Sequence, residues 1–549
     1  VRAPACLVVI PVLALLSGTS VSIAGDVSWT NAVDGSFLDP ARWSGGLPPG
    51  AADVAVFGAA GAYTVSVPSD AEVSGLRIDG SAPIFNLSSG RLTLNMPGGT
   101  PPSLSMGVTP GELTEAIVSG GTLDAEDVRV AQHPGTLASL RVLGPGAELL
   151  TGPLTHIGSE GLGVLDVTGG ARVDGGVFFI AAEPGASGFV NVMGSGSRLE
   201  ASLLRIGRRG VGNVTVSQGG ALVGGPVIVG SSGGDGSLTM SGAGTQLDLD
   251  DDDLLVGSGA GSVGDAAVDV TFWLGRDLVV GDNGGDGVFT MPGGGAFLTG
   301  DLIVGRSGAG DATIAEAASI VCDEIVIATG SSSLGSLRIE GSAEALSGTT
   351  IGTGFFSLGE LIVESTGELT TPELNVAGSG SLRGAGIVIG TVRSSGVVEP
   401  LGAMTIDGDY EQVSTGSPGV LRVELDGSTR RVEATGTAFL DGTLRLLTAP
   451  GFSPASGQSF TVLTAGAVTG AFDLVTTPGD AWEVEVTGTS VIATFTGAGS
   501  TDLDGDGVVG ASDLAQLIGD WGQSGSAADF DGDGVVGASD LAQLIGDWG

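Results

Sequence analysis

The sequence predicts a mainly β protein: a right-handed parallel β-helix of about 24–25 residues per turn, ending in a small α-helical module. Three observations carry that prediction. A short phrase, an acidic or polar residue, apolar residues and then Val or Ile followed by Gly or Ala, returns at Val130, Ile157, Ile180, Ile206, Val229, Val256, Val280, Val304, Ile327, Ile351 and Val376. Glycine makes up 101 of 549 residues, far above the usual ~7%, and it falls between apolar runs, where the chain must turn. Finally, an aspartate-rich segment at 502–513 recurs at 529–540, each copy followed by apolar residues at helical spacing.

In chain order, residues 1–24 read as a secretory signal peptide: Arg2 gives a positive start, 6–16 an apolar stretch, and Ser22-Ile23-Ala24 a small-residue cleavage site. The apolar stretch is short for a membrane span, and no other run of about 18 apolar residues follows. Export and a secreted, extracellular or cell-surface location are therefore expected. Cys6 lies in this leader, which leaves Cys322 alone in an apolar run, a buried thiol without a disulfide partner.

Residues 25–80 are expected to cap the β-helix. The first turn of such a fold exposes an open strand edge, and Trp29, Trp43 and Phe57 are suited to close it. A sugar-stacking platform is the alternative use of those rings. Residues 81–400 form the β-helix proper, with a second strand between anchors (164–167, 214–216, 288–291, 361–363) and a more ragged third strand leading to the next anchor. Each turn buries its apolar side against its neighbours, so a long thin core suffices. Residues 401–497 lose the strict period but stay strand-rich, as at 421–425 and 444–447, and are expected to be distal turns or an antiparallel cap. With Trp29, Asp39-Pro40, Trp43 and Gly45-Gly46 at one end and Glu399-Pro400-Leu401-Gly402 and Phe439-Leu440-Asp441-Gly442 at the other, the chain resembles bacterial autotransporter passengers. No barrel segment follows, so that resemblance speaks to fold and not to self-transport. Residues 498–501 read as a flexible linker.

The tail carries the clearest chemistry. Asp502, Asp504, Asp506 and Asp513 occupy positions one, three, five and twelve of a twelve-residue loop, and Asp529, Asp531, Asp533 and Asp540 repeat them. A hard cation takes six to eight oxygens, which a curled loop with carboxylates at those positions supplies. The carbonyls of Val508 and Val535 are expected to add one oxygen each, Gly507 and Gly534 to permit the mid-loop turn, and Val509 and Val536 to pair the loops. Two bound Ca2+ ions are expected. Helices are expected over 512–521 and 539–548, with Leu514, Leu517, Ile518 and Trp521 on one face and Leu541, Leu544, Ile545 and Trp548 repeating it. Loop then helix, duplicated over 502–549 and closing on Asp, resembles a type I dockerin repeat pair. The resemblance implies a cohesin-like or other surface protein as partner, and near-identical copies imply docking in two orientations. The tail departs from the family at Gly510 and Gly537, at Ala511-Ser512 and Ala538-Ser539, and in lacking basic residues on its helices. The ten aspartates of the tail face no arginine, so its folding is expected to need the metal.

The formal net charge is −42, and the sequence contains no Lys. That balance argues against nucleic acid or anionic membrane as a partner, because phosphates would be repelled. Three residues before successive anchors stand Asp253, Asp277, Asp301 and Glu324, with Asp127 and Glu373 at the same offset. Stacked turns would set them about 4.8 Å apart on the outer face, each neighbour repelling by about 1 kcal/mol in water, which cations or a basic partner could relieve. A solvated corner is the plainer account. The glycine-aspartate clusters at 233–236 and 284–287 lack a nine-residue period and read as corners. His133 and His156 are isolated, and no nucleophile, His and Asp grouping stands out, so no catalytic residues are assigned. The first functional reading is a non-catalytic β-helical structural or adhesion protein with a calcium-dependent docking tail. The rival is a polysaccharide lyase or glycoside hydrolase on the same scaffold, which would show a groove with convergent acid, Arg and aromatic residues.

Overall fold

The computed structural model describes residues 25–549 except 89, 97–101, 250, 415–417, 456, 480–481, 497–500, 507 and 532–533. The expected leader, most of the linker, Gly507 and Asp533 therefore lie outside the described residues. The chain is mainly β, 57% strand and 4% helix, and forms a β-solenoid of about 17 turns.

Each turn contributes strand segments to three parallel columns. In the strand Leu113–Val130 the chain passes through all three, with register shifts after Ser119 and Ala125 marking the corners. The anchors form one uninterrupted row in the third column. Each pairs with the next, from Val130 opposite Ile157 to Ile351 opposite Val376, and all eleven are fully buried. Burial of each such side chain contributes about 1.5–3 kcal/mol, so the row is a main source of stability.

The residue after the anchor explains why the phrase ends on Gly or Ala. Gly207, Gly230, Gly257, Gly281 and Gly305 adopt φ between 67° and 76°, and Ala131, Ala181 and Ala328 adopt φ of 56–57° at the same place. That left-handed step turns the chain out of the third column. It is cheap for glycine and costs an alanine about 1–2 kcal/mol.

Parallel pairing reaches back to Asp26–Ser28, which pairs with Val54–Phe57, which in turn pairs with Gly75–Ile78. Residues 25–80 thus carry solenoid rungs as well as the aromatic plug. Trp29, Phe37, Trp43, Phe57 and Tyr63 are buried there, with the Trp29 and Trp43 rings edge to face at 5.0 Å and Trp43 Nε1–H donating to the Phe37 carbonyl at 2.7 Å. Buried rings fill a core end and offer no face to a sugar. At the other end the parallel columns run to Leu474–Thr476, and Ser459–Thr464 and Trp482–Val486 flank Ser490–Phe495 in antiparallel pairing.

Arginines join turns of the solenoid, reaching one rung away or, for Arg77, two. Arg77 meets Asp26 at 2.5 Å, Arg91 meets Asp124, Arg141 lies between Glu115 and Asp166, and Arg383 bridges Glu360 (2.9 Å) and Glu399 (3.0 Å). These are outer-face pairs worth at most about 1 kcal/mol each. Cys322 is fully buried and free, its thiol pushed up to about 12 by burial.

Candidate metal centre

The tail folds as two loop–helix units. Helix α1 spans Ala511–Gly519 and helix α2 spans Ala538–Gly546. Both end before the expected 521 and 548: Asp520 and Asp547 leave helical geometry as C-caps, and Gly522 turns with φ of 80°. Leu517, Ala528, Phe530, Val536 and Leu544 make a small core, with Leu503, Val509, Leu514 and Leu541 packed on it. The two loop valines, Val509 and Val536, do meet this core. The expected apolar face is only half buried, however, because Ile518, Trp521, Ile545 and Trp548 are 46–58% exposed. A nine-residue helix turns only one narrow side to so small a core, and position 518 lies about 100° of helix rotation beyond 517.

In the first loop, carboxylate oxygens of Asp502, Asp504 and Asp506 lie within 4.8 Å of one another. Short-range bonds curl the backbone around them: Gly505 N–H donates to Asp502 Oδ1 (2.8 Å), Asp506 N–H to Asp504 Oδ1 (3.1 Å) and Val508 N–H to Asp506 Oδ1 (2.9 Å). In the second loop the corresponding group is Asp529, Asp531 and Asp540. Gly534, with φ of 90°, donates its N–H to Asp529 Oδ2 at 3.0 Å. Asp529 Oδ1 is buried and receives no hydrogen bond. A buried, unsatisfied carboxylate oxygen beside two further carboxylates is costly without a cation, and an all-oxygen donor set fits a hard ion such as calcium.

Asp513 and Asp540 close their loops in the same way. Asp513 Oδ1 accepts from Leu503 N–H (2.6 Å) and Asp504 N–H (3.1 Å), and Oδ2 accepts from Gly510 N–H (2.7 Å). Asp540 takes the equivalent bonds from Phe530, Asp531 and Gly537. The bond to Gly510 N–H, with those to Asp504 and Leu503, outweighs burial and holds Asp513 below the usual aspartate range. Burial would raise Asp540, but its three backbone donors hold it low as well. The position-twelve aspartates thus fix the loop to the helix start, a role that spacing alone did not suggest. Asp513 stands outside the first trio and Asp540 within the second.

Residues 500–547 match the dockerin type I domain family. The C-terminal module is a type I dockerin domain. Dockerin domains bind calcium and dock to cohesins. No curated protein matches the chain, and the likeness to autotransporter passengers rests on sequence pattern alone.

Away from the dockerin, the acidic row of the solenoid proves to be a structural ladder. Asp253 Oδ1 accepts from Asp277 N–H (3.1 Å), Asp277 Oδ1 from Asp301 N–H (2.9 Å) and Asp301 Oδ1 from Glu324 N–H (3.1 Å). Each carboxylate thus caps the backbone of the following turn, and burial with the charge of Asp277 pushes Asp301 up. Among the described residues outside the dockerin, no three Asp, Glu, His or Cys side chains gather their ligand atoms as the tail does. His156 is pushed down to about 4 by burial and by Arg129, and stacks on Phe179 at 5.3 Å. Across one outer face lies a groove of about 680 Å³ with Asp286, Asp311 and Glu360 on its walls and no Arg, His or aromatic residue among its lining. No helix of the described residues is long and apolar enough to cross a membrane.

Proposed function

We propose that this protein is an exported β-solenoid held at a cell surface or extracellular assembly through its dockerin, with the solenoid serving a structural or adhesive role. In this reading one Ca2+ is held by Asp502, Asp504, Asp506, Asp513 and the Val508 carbonyl, and a second by Asp529, Asp531, Asp533, Asp540 and the Val535 carbonyl. The unsatisfied Asp529 Oδ1 amid acidic neighbours is the observation that carries it. The calcium closes each loop and holds its helix; the exposed Ile518 and Trp521, or Ile545 and Trp548, then give a cohesin an apolar surface beside Ala511-Ser512 or Ala538-Ser539. Apolar, near-uncharged helices favour a partner whose recognition rests on burial more than on ion pairs. The acidic groove without a basic group supports the non-catalytic reading over a lyase.

The test is capture of the full chain by an immobilised cohesin, with calcium and with EGTA. Capture should need calcium, survive Ile518→Asp/Trp521→Ala or the matching pair in the other copy, and fail when both copies are changed. Capture that ignores EGTA would refute the metal-gated docking proposed here.

A further inference from the structure

Every arginine among the described residues except Arg205 and Arg445 stands within 4.0 Å of a carboxylate. In a chain of net charge −42, an arginine without a partner stands out. Arg445 is the more informative of the two. Its register partner on the preceding turn is Arg422, so two like charges occupy adjacent rungs about 4.8 Å apart. Cross-strand pairs of like charge are destabilising. Along the same row Arg383 faces Glu399, and Glu399 faces Arg422, at 3.0 and 3.6 Å. The alternation of charge then fails at Arg445, whose next partner is Thr476. Arg422 gains little from Glu399, which Arg383 already engages, and its Nε is buried without an acceptor.

Both arginines line a cavity of about 430 Å³. Thr443, Thr476 and Thr477 stand on its wall, the last two with their hydroxyls donating to the Leu444 and Gly479 carbonyls at 3.5 and 2.7 Å, and Leu446, Leu447, Leu474 and Pro478 add apolar side chains. Two arginines on adjacent rungs line one cavity, where an oxyanion would neutralise both by the forked geometry arginine offers to carboxylate and sulfate. The space far exceeds a bare oxyanion and falls within the range of small-molecule sites. Hydroxyls beside aliphatic walls suit a ring carrying both hydroxyl and C–H faces.

We infer that the Arg422–Arg445 cavity is a binding site for an acidic sugar, its carboxylate or sulfate held between the two guanidiniums and its ring against Leu447 and Leu474. The acidity of the rest of the solenoid repels a polyanion, so the polymer is one in which acidic sugars are isolated among neutral ones. This inference stands apart from the docking reading and does not depend on the dockerin.

Calorimetric titration of the calcium-loaded full chain tests it, with three probes at equal ionic strength: an aldobiouronic acid, the matching neutral disaccharide, and sodium sulfate. The uronate should bind, with Kd raised at least tenfold in Arg445→Gln and less in Arg445→Lys. Thermal unfolding adds a second readout: Arg445→Gln should be the more stable protein without ligand, and the uronate should raise the Tm of the wild type only. Equal binding of the neutral disaccharide would overturn the oxyanion site. Sulfate binding as tightly as the uronate would overturn the sugar body. An aldobiouronic acid that binds wild type and Arg445→Gln alike would place the site elsewhere.

Discussion

In the solenoid, Asp277 receives the N–H of the next turn and Asp282 is covered by Arg306; in the dockerin, Asp502, Asp504 and Asp506 turn toward one another. Both regions are acidic, yet one sets its carboxylates against donors of a neighbouring turn, while the other gathers three within a single loop whose own N–H groups bond them. The difference follows from geometry. A solenoid rung always has a neighbour about 4.8 Å away to supply a donor, whereas the core of the dockerin is five buried side chains with no arginine near. The solenoid should therefore fold without metal, and the dockerin should not.

The largest effect is expected from removing calcium. Differential scanning calorimetry of the full chain should show two transitions with calcium and only the solenoid transition in EGTA. At a hundredfold excess over Kd each ion adds about 2.7 kcal/mol, a large share of what so small a module can hold. A solenoid transition that also falls in EGTA would break the contrast and place metal in the rod.

The next effect concerns the corner that makes the solenoid possible. Gly257 has φ of 70°, and a Cβ there would lie 2.2 Å from the Asp286 carbonyl oxygen. Gly257→Val combines the left-handed strain of a β-branched residue with that clash and should cost more than about 3 kcal/mol in denaturant unfolding. Ala181→Gly, at the equivalent place with φ of 57°, should instead be neutral or gain up to about 1 kcal/mol. Neither change should alter calcium stoichiometry.

This corner shows why the fold was largely legible and the site only partly so. The Val or Ile followed by Gly or Ala recurs because one residue must be apolar and the next must bear positive φ, and both requirements leave a mark on residue type. The dockerin repeats were legible for the same reason, since a duplicated loop of alternate aspartates leaves its own mark on residue type. The orientation of the dockerin helices was not. Leu514, Leu517, Ile518 and Trp521 are all apolar, and sequence spacing cannot say that the core is too small to cover the last two. Nor could it reveal that Arg422 and Arg445 share a row, because the irregular distal turns hide their register.

A smaller effect separates hydrogen bonding from charge in the acidic ladder. Asp277→Asn keeps an acceptor for Asp301 N–H and should change stability by less than about 0.5 kcal/mol, relieving some repulsion as it does so. Asp277→Ala removes the acceptor and should cost about 1 kcal/mol. If Asp277→Asn were as damaging as Asp277→Ala, the charge would matter more than the bond, and the ladder would resemble the tail after all.

The smallest effect is a pH dependence of the same sign in both regions, which salt then separates. Burial would raise Asp282, but Arg306, whose Nε and Nη2 donate at 2.9 and 2.6 Å, together with Ser307 and Asn283 holds it below the ordinary aspartate value. A carboxyl group lowered on folding stabilises the native state above its unfolded pKa, near 4, and that contribution is lost as pH falls through the lower native value. Arg306 remains 40% exposed, so the pair is worth about 1 kcal/mol at most. The stability gap between wild type and Asp282→Asn should accordingly be constant from pH 7 to 5 and close below pH 4. Asp513 and Asp540 shift in the same direction through backbone donors alone, and protonating them should release calcium in that same acid range. Raising salt tells the two apart: it should weaken the Asp282 effect by screening Arg306, while the backbone-held aspartates of the dockerin should titrate almost unchanged.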